Sequence, residues 1–204
     1  MHALFKLSLH SAVLLHNYNT DKYYFGVAMS VRRFLTHLSL LSALSLTALA
    51  NADDISIQYE YKLDPQVDFS KAPKGPLKVA AFTDARGAAA PTSVGDYSVE
   101  MPVAEMINSA LTQAFIAGGA GLVEEGQSLT LNGEVTEFTV EDKGGEFDVI
   151  IRTHVTLRAG TRSAFDTVIF GRSSAADVET AISGALDKLV HSLIWDDYFL
   201  MEVI

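Results

Sequence analysis

Cysteine is absent from all 204 residues. No disulfide, zinc–thiolate site, cysteine nucleophile or lipid-bearing N-terminal cysteine can therefore form. If the chain works in an oxidising compartment, its core alone must hold the fold. Proline is scarce, with five in total, and three of these fall in the stretch 64–76. Cations are scarce too. From Asp53 onward there are 11 Lys and Arg against 24 Asp and Glu, a net charge of −13. A field of that sign repels phosphate backbones and anionic membrane surfaces, so nucleic acid is a poor partner. The plain role of the charge is solubility. Only two histidines, His154 and His191, lie in the same region.

The N-terminal fifty residues carry an export signal in three parts. Arg32 and Arg33 form a short basic start. Leu38 to Leu49 is an apolar run of 12 residues, too short to span a bilayer core of about 30 Å as a helix. Ala48-Leu49-Ala50 and Ala50-Asn51-Ala52 then offer small-residue cleavage sites, the second preferred because Asp53-Asp54 follows it. Residues 29–52 are thus a secretory signal peptide, closing at Ala50 or Ala52. The apolar core and the missing Ser-Arg-Arg context favour the general export route, with a twin-arginine route as the second reading. Residues 1–28 precede a complete signal that has its own Met29. They read as an extension from a start codon placed too early, the other reading being a genuine N-terminal anchor. The remainder, 53–204, is expected to be one globular periplasmic domain, long enough to bury a core without crosslinks.

Within that domain Ile55, Ile57, Tyr59 and Tyr61 alternate with polar residues, as in a half-buried strand. The segment 64–76 is a connector. Leu77 to Phe82 is a dense apolar strand, followed by a Gly/Ala/Pro-rich loop as far as Glu100. Pro102 opens a helix whose Val103, Met106, Ile107, Ala110, Leu111, Ala114 and Phe115 make one apolar stripe, ended by Gly118-Gly119. Leu129, Leu131 and Val135 keep a period of two, while Phe138 and Val140 are out of phase. That slip predicts a bulge near Thr136-Glu137. Asp142-Lys143-Gly144-Gly145 is a hairpin turn. The next strand sets Phe147, Val149, Ile151, Val155 and Leu157 on one face, a turn spans Arg158 to Arg162, and Phe165 to Phe170 is the last strand. Ser174 with Asp177 resembles a capping box, and Val178, Ala181, Ile182, Ala185, Leu186, Leu189, Leu193 and Ile194 form the closing helix stripe. The order β-β-α-β-β-β-β-α predicts an α+β fold: a mostly antiparallel sheet with both amphipathic helices packed on one face and the other face partly open.

Chemistry-bearing patterns are few. No HExxH, GxSxG, P-loop or EF-hand spacing occurs, and no metal or cofactor is expected. Gly118-Gly119-Ala120-Gly121 follows a helix rather than preceding one, so it ends that helix instead of cradling phosphate. His154 sits in the polar phase of its strand, and His191 is expected partly exposed on its helix. Asp196-Asp197 beside Trp195 and Tyr198 reads as solvated, with Phe199, Leu200, Met201 and Val203 folding the C-terminus back onto the domain. An exposed apolar tail for a partner is the competing reading. The constellation Thr83-Asp84-Ala85-Arg86 stands where a buried strand opens into the long loop, which makes Asp84 and Arg86 the candidate binding residues. The local alternative, favoured for Arg86, is that Asp84 accepts loop amides and pairs with the guanidinium. A largely exposed pair of that kind is worth about 0–1 kcal/mol.

Ala81-Phe82-Thr83-Asp84-Ala85-Arg86, the loop through Val94-Gly95, the helix start Pro102-Val103-Ala104-Glu105 and the strand Leu131-Asn132-Gly133-Glu134-Val135 together resemble the YajG-type envelope lipoproteins. More distantly they are similar to auxiliary lipoproteins of lipid-transport ABC systems. The resemblance covers roughly 55–194, but the family's lipid-bearing cysteine is missing, which removes the lipid anchor. It implies a non-enzymatic envelope role. The expectation is a soluble, non-catalytic periplasmic binding or adaptor domain meeting an envelope protein through its open sheet face or the loop 85–100. The alternatives are an accessory subunit of an envelope lipid or solute ABC transport system, and a hydrolase using Asp84 with His154 or His191.

Overall fold

The structure, a computed structural model, describes residues 53–62, 68–70 and 74–204. The extension 1–28, the signal peptide 29–52 with its cleavage positions Ala50 and Ala52, and much of the connector 64–76 lie outside the described residues. No helix among those described is long and apolar enough to cross a membrane.

The fold is α+β, as the pattern predicts. Its main sheet is built on three long antiparallel strands, β6 (Leu129–Asp142), β7 (Phe147–Ala159) and β8 (Arg162–Ala175). The sequence order anticipates four strands here. Three suffice, because Leu129–Asp142 runs through its bulge as one strand. The register slips between Val135 and Glu137, leaving Thr136 as the extra residue. Phase is restored beyond it, so Val135 and Phe138 both reach the core. At the hairpin the Asp142 carboxylate accepts the amides of Gly144 and Gly145 at 2.8 and 3.0 Å. The two glycines take φ of 79° and 103°, values open to them because they lack a Cβ.

The apolar strand predicted over Leu77 to Phe82 divides into β2 (Leu77–Val79) and β3 (Thr83–Asp84), both paired parallel to β6. The crossover joining them to β6 contains α1 (Val103–Ala117), and parallel neighbours need such a connection. The loop between β3 and α1 is not all irregular. It contains β4 (Ser93–Val94) and β5 (Tyr97–Val99), an antiparallel hairpin turned at Gly95. Parallel to β5 lies β1 (Asp53–Ile55), completing a separate three-stranded sheet.

Beyond Ile55 the chain leaves that sheet, so the strand expected to Tyr61 is shorter than its alternation suggests. The alternation has a different cause. Ile55 and Tyr61 are buried, and the residues between them strap the helix layer. The Tyr59 phenol donates to Asp187 at 2.9 Å, and the Tyr61 amide donates to the Gln113 side chain at 3.0 Å. Burial against the helices and the Asp187 carboxylate push the Tyr59 phenol well above its ordinary range.

The helix α1 buries all seven residues of the predicted stripe together with Ala104. It ends with the Gly119 amide on Ile116 and the Ala120 amide on Phe115. Gly119 takes φ 80°, which makes this a Schellman stop. The second helix, α2 (Val178–Ile194), buries Ala181, Ile182, Ala185, Leu186, Leu189, Val190, Leu193 and Ile194. Val178 is only half-buried, and Val190 takes its place in the stripe. The cap of α2 also differs from expectation. Asp177 itself is the N-cap, accepting the Thr180 amide at 2.8 Å, while Ser174 lies within β8 and bonds to Asp148. Both helices pack on one sheet face, α1 over β6 and β3, α2 over β8 and β7. A short α3 (Asp197–Val203) folds the C-terminus back by burying Phe199 and Val203. Trp195, Tyr198, Met201 and Ile204 stay exposed.

Candidate functional site

Asp84 and Arg86 come together. The guanidinium donates to both carboxylate oxygens of Asp84, through Nε at 2.9 Å and Nη2 at 2.6 Å. Its remaining donors reach into the following loop, Nη1 to the Ser93 carbonyl at 2.8 Å and Nη2 to the Pro91 carbonyl at 3.2 Å. The Arg86 amide closes the turn on Asp84 at 3.1 Å. These bonds hold the Asp84 carboxyl below its ordinary range, the Arg86 side chain being the largest cause. The expected pair is therefore present but is not exposed, because the Arg86 side chain retains only 5% of its accessibility. Its fork is what folds 86–93 over the bulged part of β6. Beside it lies a cavity of about 350 Å³ bounded by Ala88, Ala89 and Gly95 on the loop and by Thr136 and Glu137 on the strand.

Because that guanidinium is buried and fully engaged, Arg86→Ala should cost about 1.5–3 kcal/mol, the range for hydrogen bonds to a charged group. That exceeds the value assigned to a solvated pair. Chemical denaturation checks this, and a loss below about 0.5 kcal/mol would remove Arg86 as the loop's organiser.

The other predicted residues do not converge on Asp84. His154 is half-buried on the open face of the sheet, where Nε2 meets Asp166 at 2.6 Å. His191 is exposed on α2 and faces the edge of the Tyr61 ring at 6.5 Å between centroids. Asp196 accepts the amides of Tyr198 and Phe199 and so caps α3. Among the described residues no group of three or more His, Asp or Glu side chains is placed to hold a metal ion.

The face of the main sheet opposite the helices presents a ladder of side chains. Arg152 pairs with Glu137 at 3.3 Å and lies 5.5 Å from the centroid of the exposed Phe170 ring. Val168, in register with His154, is exposed beside it. At the hairpin end is a feature that sequence reasoning missed. Asp148 is buried although it points to this outer face. Arg172 grips it with Nε and Nη2 at 3.0 and 2.7 Å, Ser174 donates at 3.2 Å, and Lys143 closes over it. Strand alternation assigns Asp148 to solvent. The missed signal was Arg172 and Ser174, which lie across from it only once the β7–β8 register is known.

Hydrogen bonds from Arg172 first, then Lys143, hold the Asp148 carboxyl well below the usual carboxylate range. The sign of the linkage follows. A depressed carboxylate contributes stability that is complete above its unfolded value of about 3.9 and is lost as pH falls through the native value. Asp148→Asn should therefore lower the melting temperature at pH 7 and flatten its decline below about pH 4. Melting curves taken between pH 7 and pH 2 test this. Parallel declines in wild type and variant would show that Asp148 does not contribute.

No protein-family model matches the sequence, and a comparison with curated proteins finds no match. Solved structures do share the architecture. Protein XCC0632 from Xanthomonas campestris, of family DUF330, is 14% identical with a TM-score of 0.54, over 69% of this chain and 90% of that one. A minor lipoprotein from Acinetobacter baumannii is 12% identical with a TM-score of 0.38, over 62% and 94%. Lipoprotein GNA1162 from Neisseria meningitidis is 14% identical with a TM-score of 0.33, over 60% and 99%. At such identities the likeness is one of fold. These neighbours are consistent with the coarse envelope-lipoprotein resemblance read from the sequence.

Proposed function

We propose that this chain is a non-catalytic binding or adaptor domain of the bacterial cell envelope, of YajG-type kinship, exported to the periplasm by its leader at 29–52. It meets an envelope protein through the open face of its main sheet or the loop 85–100. The observation that carries this reading is the asymmetry of the sheet. One face is sealed by α1 and α2, while the other displays exposed Val168 and Phe170 between charged residues held in cross-strand pairs. A half-apolar face with its charges fixed suits a polar protein interface. A hydrolase would need Asp84 poised with a histidine. Asp84 is instead taken up by Arg86, and His154 by Asp166.

Photo-crosslinking residues placed at Phe170 and at Ala89, with Lys188 on the exposed side of α2 as control, test the surface in living cells. One envelope protein captured from either of the first two positions and not from Lys188 is the expected result. Capture from Lys188 alone would reject it. N-terminal sequencing of periplasmic material should give Asn51 or Asp53, and a chain retaining Met1 there would reject export by this leader.

A further inference from the structure

The notch between β2 and β3 is a second feature of the open face. Pairing with β6 passes from Val79↔Leu131 to Thr83↔Glu134. Three residues, Ala80 to Phe82, thus stand opposite two, Asn132 and Gly133. Phe82 turns to the core, and a Cβ on Gly133 would lie 2.3 Å from its ring, so only glycine fits there. On the outer side the same break leaves a cavity of about 340 Å³, within the size range of small-ligand sites. Its floor is Ala81 and Gly133. Asn132, Glu134, His154 and Thr156 line it from β6 and β7, and Thr83 from β3. Asp166 fixes the His154 ring at 2.6 Å. Among the described residues Asn132, Glu134 and Thr156 have no side-chain hydrogen-bond or ionic partner.

We infer that this notch binds a small polar molecule carrying a primary ammonium beside hydroxyl groups, such as an amino sugar or an amino alcohol. Glu134 is the one lining carboxylate without a counter-charge, and the net charge of −10 draws cations to it. The Asn132 amide and the Thr83 and Thr156 hydroxyls supply neutral donors and acceptors for neighbouring hydroxyls. This goes beyond the adaptor reading and does not depend on it.

Calorimetric titration of the purified protein with glucosamine and with ethanolamine, against glucose as the neutral analogue, tests the site. Co-sedimentation with phosphatidylethanolamine rather than phosphatidylcholine vesicles separates a lipid headgroup from a free ligand. At least one ammonium probe should bind, free or on vesicles. Glu134→Gln should weaken that binding at least about tenfold, the size of one charge-assisted contact. Its melting temperature and its capture at Phe170 should be unchanged. Glucose binding as well as glucosamine, no binding by any ammonium probe, or undiminished binding by Glu134→Gln would each overturn the inference. Loss of partner capture with ligand binding intact would count against the adaptor reading alone.

Discussion

Replacing Gly171 by alanine should cost about 3 kcal/mol or more, at the upper end of what overpacking does, and valine there should prevent the native fold. Gly171 lies in β8 on the face turned to α2. A Cβ built on it would sit 2.0 Å from the Ala185 carbonyl oxygen and 2.8 Å from the Leu189 amide nitrogen. Both are helix backbone, so no side chain can swing aside, and α2 as a whole would have to lift off the sheet. Lifting it would loosen Leu186 and Leu189, both fully buried, in an interior where contacts decay over a fraction of an ångström. The effect is one of close approach, since Gly171 has no positive φ. Gly121 provides the contrast, having neither a positive φ nor an atom within 4 Å of its would-be Cβ. Gly121→Ala should leave stability within about 0.5 kcal/mol of wild type. Urea denaturation of both variants decides the matter, and equal midpoints would show that α2 does not rest on Gly171.

This close approach also marks where sequence reading stops. The stripe of α1 was legible to the residue, because 3.6-residue periodicity is written locally by Val103 through Phe115. The bulge at Thr136 was legible too, since a phase slip in a two-residue period has few other causes. Local pattern could not show what pairing over distance decides. The two-residue strands β3 and β4 have no period of their own and exist because β6 and β5 lie beside them. The strap through Tyr59 and Tyr61 reads as a strand because one phase is buried, and periodicity alone cannot say whether a sheet or a pair of helices buries it. The Asp84–Arg86 pair was visible, being two residues apart. Its burial was not, because that depends on the Pro91 and Ser93 carbonyls folding back over it. Asp148 and the notch beside Gly133 each draw on three separated segments, so neither leaves a local signature.

Truncating Leu111 and Leu186 to alanine should destabilise the protein by about 2–5 kcal/mol each, through lost burial plus the cavity left behind. Both side chains are fully buried, but their surroundings differ. Leu186 lies on α2, which packs along β8 and β7 and is held from outside by the bond from Tyr59 to Asp187. A helix fixed on both sides cannot settle into a cavity, so Leu186→Ala should fall toward the upper end of the range. Leu111 lies on α1, which makes its sheet contacts with β6 and the short β3. That helix has more freedom to relax, so Leu111→Ala should fall toward the lower end. Removing the outer restraint with Tyr59→Phe ought then to reduce the cost of Leu186→Ala while leaving that of Leu111→Ala unchanged, a coupling that a double-mutant cycle measures directly. Losses below about 0.5 kcal/mol at both leucines would mean that the helical faces are wrongly assigned. Equal coupling of both leucines to Tyr59 would mean that the strap braces the whole helix layer rather than α2.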